Sequence, residues 1–486
     1  MESDTFTEHD RLFIGGGWAA PHSTARVPVT SPMSERFIGS VPEADEEDVD
    51  TAVSAARAAF DDPGGWAHWE PARRAEALNR FAAALEARGG RTARQVTAQN
   101  GMPIVFSEPV EGRAPAFLLR HAAELITREP LERIRERADG TGSTLIRREP
   151  VGVVGAIAPW NFPQSLAAFK YASALAAGCT VVLKPSPETV LDSVLLADAA
   201  EEAGLPAGVM NIVFGGTESG SALVRHPDVD KIGFTGSTAV GRLIAENCAR
   251  LLRPVTLELG GKSAAVLLDD VDIEAVVNSP AFSAMTLFDS GQTCWASTRI
   301  LAPRSRYEET VEAVASMMER LVVGDPFDPG TQIGPMVSEK HRTRVEGYIA
   351  KGVGEGARLV TGGGRPRHLE KGWFVEPTLF ADVDNRSTIA QEEIFGPVLC
   401  VIPYRDDTDA VRLANDSSYG LAGSVWTGDT DRAITVARRV RTGVFSVNGQ
   451  RTDLGAPFGG EKNSGLGREL GTEGLASYQR LQSVFV

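Results

Sequence analysis

The spacing of apolar positions changes along this chain, and each change predicts a different kind of element. Residues 11–40 read as short strands and turns, with Leu12-Phe13-Ile14-Gly15-Gly16-Gly17-Trp18 as an opening hairpin. Asp45 then heads a helix through Val49, Val53, Ala56 and Phe60, its first turn acidic as the helix dipole favours. A second helix is predicted from Pro71 to Arg88, broken by Gly89-Gly90. From Val151 the pattern becomes strand–helix alternation. Strands are predicted over Val151–Ile157, Thr180–Leu183, Met210–Val213 and Lys231–Phe234, and helices over Gln164–Ala177, Val190–Ala203 and Thr238–Leu252. Continuous apolar strands between amphipathic helices imply a parallel sheet covered on both faces. A second α/β run starts near Ser263 and continues to about Gly460.

The stretch from Arg128 to Arg148 breaks this pattern. It is charged and then reads as an exposed hairpin around Gly140-Thr141-Gly142. An isolated hairpin is marginal in water, so it is expected to pair with something, another subunit being one choice. The strand-like end Leu481–Val486 raises the same expectation.

With 486 residues the chain exceeds one ordinary core, so two or three domains are expected. A formal charge of −15 argues against a nucleic-acid partner. Four cysteines without a Cys-x-x-Cys pair form neither a disulfide framework nor a zinc knuckle, which points to a reducing, cytoplasmic setting. The seven histidines show no metal-ligand spacing, so no metal is expected. The acidic start Met1–Asp10 lacks the pattern of a signal peptide, and no apolar run reaches the ~18 residues of a membrane span.

The candidate chemistry centres on Cys294, in Gly291-Gln292-Thr293-Cys294-Trp295, and on Glu258, in Leu257-Glu258-Leu259-Gly260-Gly261-Lys262. A thiolate attacks carbonyl carbon well, and a carboxyl among leucines can hold a pKa suited to base catalysis near neutrality. Most free cysteines are inert buried thiols, and Cys179, Cys248 and Cys400 fit that description in their apolar surroundings.

Together these segments resemble the active-site signatures of the aldehyde dehydrogenase superfamily. The resemblance extends through Pro159-Trp160-Asn161-Phe162-Pro163, Lys184-Pro185-Ser186, Phe234-Thr235-Gly236-Ser237 with Gly241, Glu393-Ile394-Phe395-Gly396-Pro397 and Pro457-Phe458-Gly459-Gly460. It implies an α/β fold. A Rossmann-type doubly wound cofactor domain (1–127 and 148–261), an α/β catalytic domain (262–461) and a small β arm for oligomerisation (128–147 and 462–486) are expected, assembling as a homodimer or homotetramer.

By the same resemblance, Cys294 is the nucleophile, Glu258 the base that activates the deacylating water, and Asn161, with the Cys294 backbone N–H, the oxyanion hole. Lys170 supports the proton path around Glu258. A dinucleotide, NAD with NADP possible, is held by Ile157, Pro159, Trp160, Lys184, Ser186, Glu188, Gly216, Phe234, Thr235, Gly236, Ser237, Gly241, Leu259, Gly260, Glu393 and Phe395. Leu166, Phe169, Thr293, Trp295 and Phe458 face the aldehyde, and Arg451 leaves room for a carboxylated one. Glu392 reads as a solvated acid.

Three positions depart from the family pattern. Pro187 stands where many members carry a ribose-binding Glu, which weakens the expectation of NAD over NADP; NAD stays first because Glu188 can turn inward. Trp295 beside the nucleophile is expected to narrow the substrate channel. Glu461 replaces a frequent apolar residue and has no evident role. Rival readings are a CoA-acylating semialdehyde dehydrogenase, which has no need of Glu258, a cysteine hydrolase, and a catalytically silent relative.

Overall fold

The computed structural model describes residues 6–449 and 452–486 of the chain, so Arg451 lies outside the described residues. Two large sheets organise it. The first is eight-stranded, and its spatial order places Val153–Ile157 in the middle. Thr180–Lys184 and Met210–Ile212 follow on one side, Lys231–Thr235 and Val255–Glu258 on the other, all parallel. The strand order therefore reverses between Val153–Ile157 and Lys231–Thr235. Open α/β sheets bind ligands at such a switch point, outside the carboxyl ends of the strands. The predicted doubly wound sheet is present.

The N-terminal hairpin, Leu12–Ile14 with Gly17–Ala19, extends this sheet antiparallel beyond Met210–Ile212. Gly465–Leu466 closes the opposite edge against Val255–Glu258. The helix Glu46–Asp61 begins at Asp45, whose carboxylate accepts from the Asp48 N–H while Asp48 reciprocates. This capping box stops the helix from fraying at its first turn.

The second sheet is seven-stranded. Ala264–Leu267, Arg299–Pro303, Thr378–Ala381, Val398–Tyr404, Gly423–Trp426 and Ser446–Val447 run parallel, with Arg358–Thr361 as an antiparallel edge. Its two faces carry separate apolar clusters, one around Phe380, Val398 and Ile402, the other around Ile300, Leu379 and Val401. No helix among the described residues is long and apolar enough to cross a membrane.

One predicted break is wrong. The helix runs unbroken from Pro71 to Asn100 through Gly89-Gly90. Gly89 is there for packing: a Cβ on it would lie 2.3 Å from the carbonyl oxygen of Gly112. The glycine permits this close approach to the Gly112 segment at the roughly 1 kcal/mol that a mid-helix glycine costs.

The charged stretch after Arg128 forms the strands Glu132–Glu136 and Ser143–Pro150, paired antiparallel. Their third partner belongs to the same chain: Gln479–Phe485 pairs along Ser143–Pro150, from Gln479 opposite Pro150 to Phe485 opposite Thr144. Among the described residues, no further strand pairs with the outer edges of this three-stranded sheet.

Candidate active site

Cys294 lies in the connection between the turn Phe288–Gly291 and the strand Arg299–Pro303 of the second sheet. That connection is wound tightly: Asp289, Ser290 and Gly291 have φ of 48°, 57° and 74°. Left-handed backbone at non-glycine residues costs of order 1–3 kcal/mol each and persists only where the surroundings impose it. Here buried polar contacts do so. Ser290 Oγ donates to the Gly334 carbonyl (3.1 Å) and accepts from the Gly334 N–H (2.9 Å). Gln292 Oε1 accepts from the Val337 N–H at 3.0 Å. Gln292 is therefore the clamp of the loop. Gly291 passes where a Cβ would meet the Gly396 carbonyl oxygen at 2.3 Å.

Asn161 follows the central strand of the first sheet and reaches across to this loop. Its Nδ2 donates to the Gln292 carbonyl at 2.9 Å, and it is buried. Asn100, ending the helix Pro71–Asn100, donates to the Asn161 carbonyl at 3.0 Å. A cleft opens between the two sheets at the switch point. Pro159, Trp160, Asn161, Thr235, Gly236, Ser237, Leu259, Gly260, Cys294, Glu393 and Phe395 line it together. Burial pushes the half-buried Cys294 thiol up, and the negative charges of Glu393 and Glu258 add to the effect. The thiol is neutral in this state.

Glu258 ends the strand Val255–Glu258 just before the cleft-lining Leu259 and Gly260, with both carboxyl oxygens free of hydrogen-bond partners among the described residues. Burial first, then the charge of Glu469, holds its carboxyl well above the usual range, while Lys170 and Arg468 pull it back. Lys170 and Glu469 form a fully buried ion pair at 2.9 Å, and Lys170 Nζ also donates to Thr235 Oγ1 at 2.5 Å. A carboxyl that is tuned upward and joined to a buried charge pair is an arrangement found at functional sites.

The glycines of the motifs make room for these groups. A Cβ on Gly261 would lie 2.2 Å from the Cys294 carbonyl oxygen, one on Gly260 2.5 Å from Glu393 Oε2, and one on Gly459 2.6 Å from Glu258 Oε1.

Several residues expected to bind a cofactor stand at neighbouring strand ends. Ile157 is in register with both Lys184 and Phe234. Lys184 is buried and donates to the Pro185 and Gly215 carbonyls at 3.0 and 2.7 Å. Burial lowers its pKa to about 8, against the opposing pull of Glu188 and Glu43. Glu188 is held by Ser186 Oγ at 2.6 Å, and Glu43 accepts from the Gly216 N–H at 3.3 Å. None of these lines the cleft around Cys294. They form a separate acidic–basic group along the same sheet end.

The residues present fit a dinucleotide. Ser237 caps the helix Thr238–Arg250, whose N-terminus opens beside the cleft. Leu259 fills the space where a Cβ on Gly241 would fall, at 2.5 Å, so that this helix packs close to the sheet. The half-buried Glu393 carboxyl, pushed up to about 7 by desolvation, accepts from the Gly261 N–H at 2.9 Å. Phe395 adopts φ 64° and turns its ring against Trp160, centroids 5.2 Å apart and perpendicular. Glu392, in contrast, is exposed and accepts from Tyr348.

The expected substrate residues cluster apart from one another. Phe169 and Phe458 meet edge to face at 5.9 Å, both buried, and Leu166 lies one helical turn before Lys170. Trp295 stacks on Phe288, which stacks in turn on Phe162. Thr293 Oγ1 donates to the Phe288 carbonyl at 2.9 Å. Glu461 is exposed in the short strand pairing with Tyr419–Gly420.

Four residues escaped the sequence reading. His341 and Arg344 line the cleft from the helix Glu339–Gly354, which carries no motif. His341 Nε2–H donates to the Phe395 carbonyl at 2.6 Å, and burial lowers its pKa to about 4. Glu469 had one readable signal, a lone acid between Arg468 and Leu470 close to the Gly459-Gly460 pair. Glu111 had none.

Comparison with known proteins agrees with this geometry. The geranial dehydrogenase of Castellaniella defragrans is 54% identical over 480 residues, 99% of each chain. A 3-succinoylsemialdehyde-pyridine dehydrogenase from a Pseudomonas species is 41% identical over 98% of each chain. A Mycobacterium tuberculosis aldehyde dehydrogenase, solved in complex with NAD+, superposes with a TM-score of 0.95 at 49% identity, covering 99% of this chain and 98% of that one. The sequence matches the aldehyde dehydrogenase family over residues 18–484. With strand order, nucleophile loop and tuned carboxyl all in place, the chain belongs to the aldehyde dehydrogenase family and is an enzyme of aldehyde oxidation.

Proposed function

We propose that this protein oxidises an apolar aldehyde to its carboxylic acid with NAD+, through a thioacyl-enzyme on Cys294 that Glu258 helps to hydrolyse. The observation that carries the reading is the cleft shared by Cys294 and Asn161, with the elevated Glu258 carboxyl near enough for its charge to act on the Cys294 thiol.

Cys294 Sγ attacks the aldehyde carbon once its proton has moved to a base, and the charges of Glu393 and Glu258 both act on that thiol. The oxyanion is met by the second N–H of the Asn161 amide and by the Cys294 backbone N–H. One such donor is worth roughly 3 kcal/mol of barrier. When bound, the nicotinamide supplies the hydride acceptor. Trp160, Glu393, Phe395 and His341 would hold the nicotinamide end of the dinucleotide, and Thr235, Gly236 and Ser237 its phosphates. Glu258 then takes a proton from water as that water attacks the thioacyl carbon. Lys170 and Glu469 set the charge around Glu258 during this step. A CoA-acylating enzyme has no use for this base.

Apolar substrates are favoured by Leu166, Phe169 and Phe458 together with the Phe162–Phe288–Trp295 stack. The geranial dehydrogenase at 54% identity supports a terpenoid or similarly branched apolar aldehyde. Cofactor preference follows from Glu188 and Glu43 beside Lys184, which favour NAD over the phosphorylated form. We assign residues 1–127 and 148–261 to the cofactor domain, 262–461 to the catalytic domain, and 128–147 with 462–486 to an oligomerisation arm. Ile134, Leu481 and Phe485, all strongly exposed on the arm sheet, support assembly into a homo-oligomer. Four free thiols support a reducing, cytoplasmic setting.

The deciding experiment is Glu258→Gln in rapid-mixing kinetics. Steady-state turnover falls by about 10²–10⁴-fold, the usual contribution of a general base, while a burst of NADH near one per site survives. Mass spectrometry then finds the acyl group on Cys294. Loss of the burst would move Glu258 to deprotonation of the thiol, and normal turnover would remove it from the mechanism.

A further inference from the structure

The helix Pro163–Ala177 carries Leu166, Phe169 and Lys170 and starts two residues after Asn161, so its N-terminal geometry sets where the Asn161 amide points. Phe162, in the capping position, has no side chain able to accept a hydrogen bond from the first turn. The N–H groups of a first helical turn need acceptors, and a buried helix start without them is costly. Here the acceptor comes from another segment. Glu111, immediately after the short helix Ile104–Val110, is 1% exposed. Its Oε2 accepts from the Gln164 N–H at 2.7 Å and from the Ser165 N–H at 3.4 Å. Ser165 Oγ returns the contact to the Val110 carbonyl at 2.6 Å, locking the two helices end to end.

Glu111 also faces the nucleophile loop. Burial first, and then any negative charge on Glu111, raises the carboxyl of fully buried Asp289, the first left-handed residue before Cys294. Glu111 Oε1 and both Asp289 carboxyl oxygens lack hydrogen-bond partners among the described residues. A single buried side chain thus touches the start of the helix behind the oxyanion donor and neighbours the loop that donor binds.

We propose that Glu111 is a positioning residue for aldehyde oxidation, acting through Asn161 by fixing the entry into the helix Pro163–Ala177. It touches no reacting atom. Burial raises its carboxyl to about 8, so at neutral pH the neutral form does the capping through its carbonyl-type oxygen, a role an amide can copy.

This inference rests on Asn161 being the oxyanion donor, and the test separates the two. Four proteins are compared with one apolar aldehyde: wild type, Glu111→Ala, Asn161→Ala and the double variant. Glu111→Ala is expected to lower kcat/KM by about a hundredfold, the scale of a 1 Å misplacement, with NAD+ dissociation constant and iodoacetamide alkylation of Cys294 within twofold of wild type. On the Asn161→Ala background the same change should cost less than about threefold, because the group it positions is already gone. Glu111→Gln should restore kcat/KM to within about threefold of wild type. Losses that multiply in the double variant overturn the proposal while leaving Asn161 in its role. An Asn161→Ala protein with unchanged acylation overturns that role, and the proposal with it. If Glu111→Ala fails to fold, Glu111→Gln decides: a hundredfold loss in a folded protein with normal NAD+ affinity refutes capping by a neutral oxygen.

Discussion

The Asn161 side chain donates to the backbone carbonyl of Gln292 at 2.9 Å, two residues before the nucleophile. One amide proton is thereby committed to holding the loop, which leaves the second, in fixed orientation, for the acceptor we propose, the aldehyde oxygen. The same bond ties the first sheet to the second across the cleft.

Replacing Asn161 by Ala should therefore do two things. Acylation should slow by about 10²–10³-fold through loss of the oxyanion donor, and the Cys294 loop should loosen as its tether is removed. Single-turnover NADH formation reads the first. Faster proteolysis or hydrogen exchange around 288–296 reads the second, and unchanged exchange would confine Asn161 to the chemistry.

The Lys170–Glu469 pair makes a pH prediction with a definite sign. Glu258 works as a base when deprotonated, so activity rises with pH through its pKa. The Glu469 charge raises that pKa and the Lys170 charge lowers it. Glu469→Gln should move the acid limb of kcat to lower pH, and Lys170→Met should move it to higher pH. Lys170→Met should also destabilise the fold by roughly 3–5 kcal/mol, because it strands a buried carboxylate. Kinetic profiles and denaturant titrations check the two effects separately.

Cofactor choice turns on the acids beside Lys184. Glu188→Gln combined with Glu43→Gln removes both negative charges that act on this lysine. The ratio of kcat/KM for NADP+ over NAD+ should rise at least about tenfold, since a charge pair at 4 Å in a partly screened site is worth a few kcal/mol. A ratio that stays put would place the adenine ribose elsewhere.

Assembly should depend on the arm sheet. Leu481→Asp with Phe485→Asp puts charge onto an exposed apolar strand without touching either large sheet. Sedimentation velocity should show smaller species than wild type. An unchanged oligomer would locate the interface on another surface, such as the exposed Leu243 and Leu252.

Much of the fold was legible in the chain because its parallel strands are short apolar runs, buried on both faces, whose period differs plainly from that of the helices between them. The meeting of Cys294 with Asn161 at one cleft, and the place of Glu258 near it, were also legible, since close packing demands the glycines in their motifs. Gly89-Gly90 misled because a glycine looks the same in sequence whether it ends a helix or lets another backbone pass where a Cβ would stand only 2.3 Å from its carbonyl oxygen. The partner of the charged hairpin was equally hidden: pairing Ser143–Pro150 with Gln479–Phe485 joins segments more than three hundred residues apart, and hydrogen-bonding edges carry no address. Only the tertiary structure brought Glu469 to Lys170, His341 to Trp160, and Glu111 to the helix behind Asn161. Each of these groups matters through burial and a specific neighbour, and both are properties of packing that no local pattern of residues encodes.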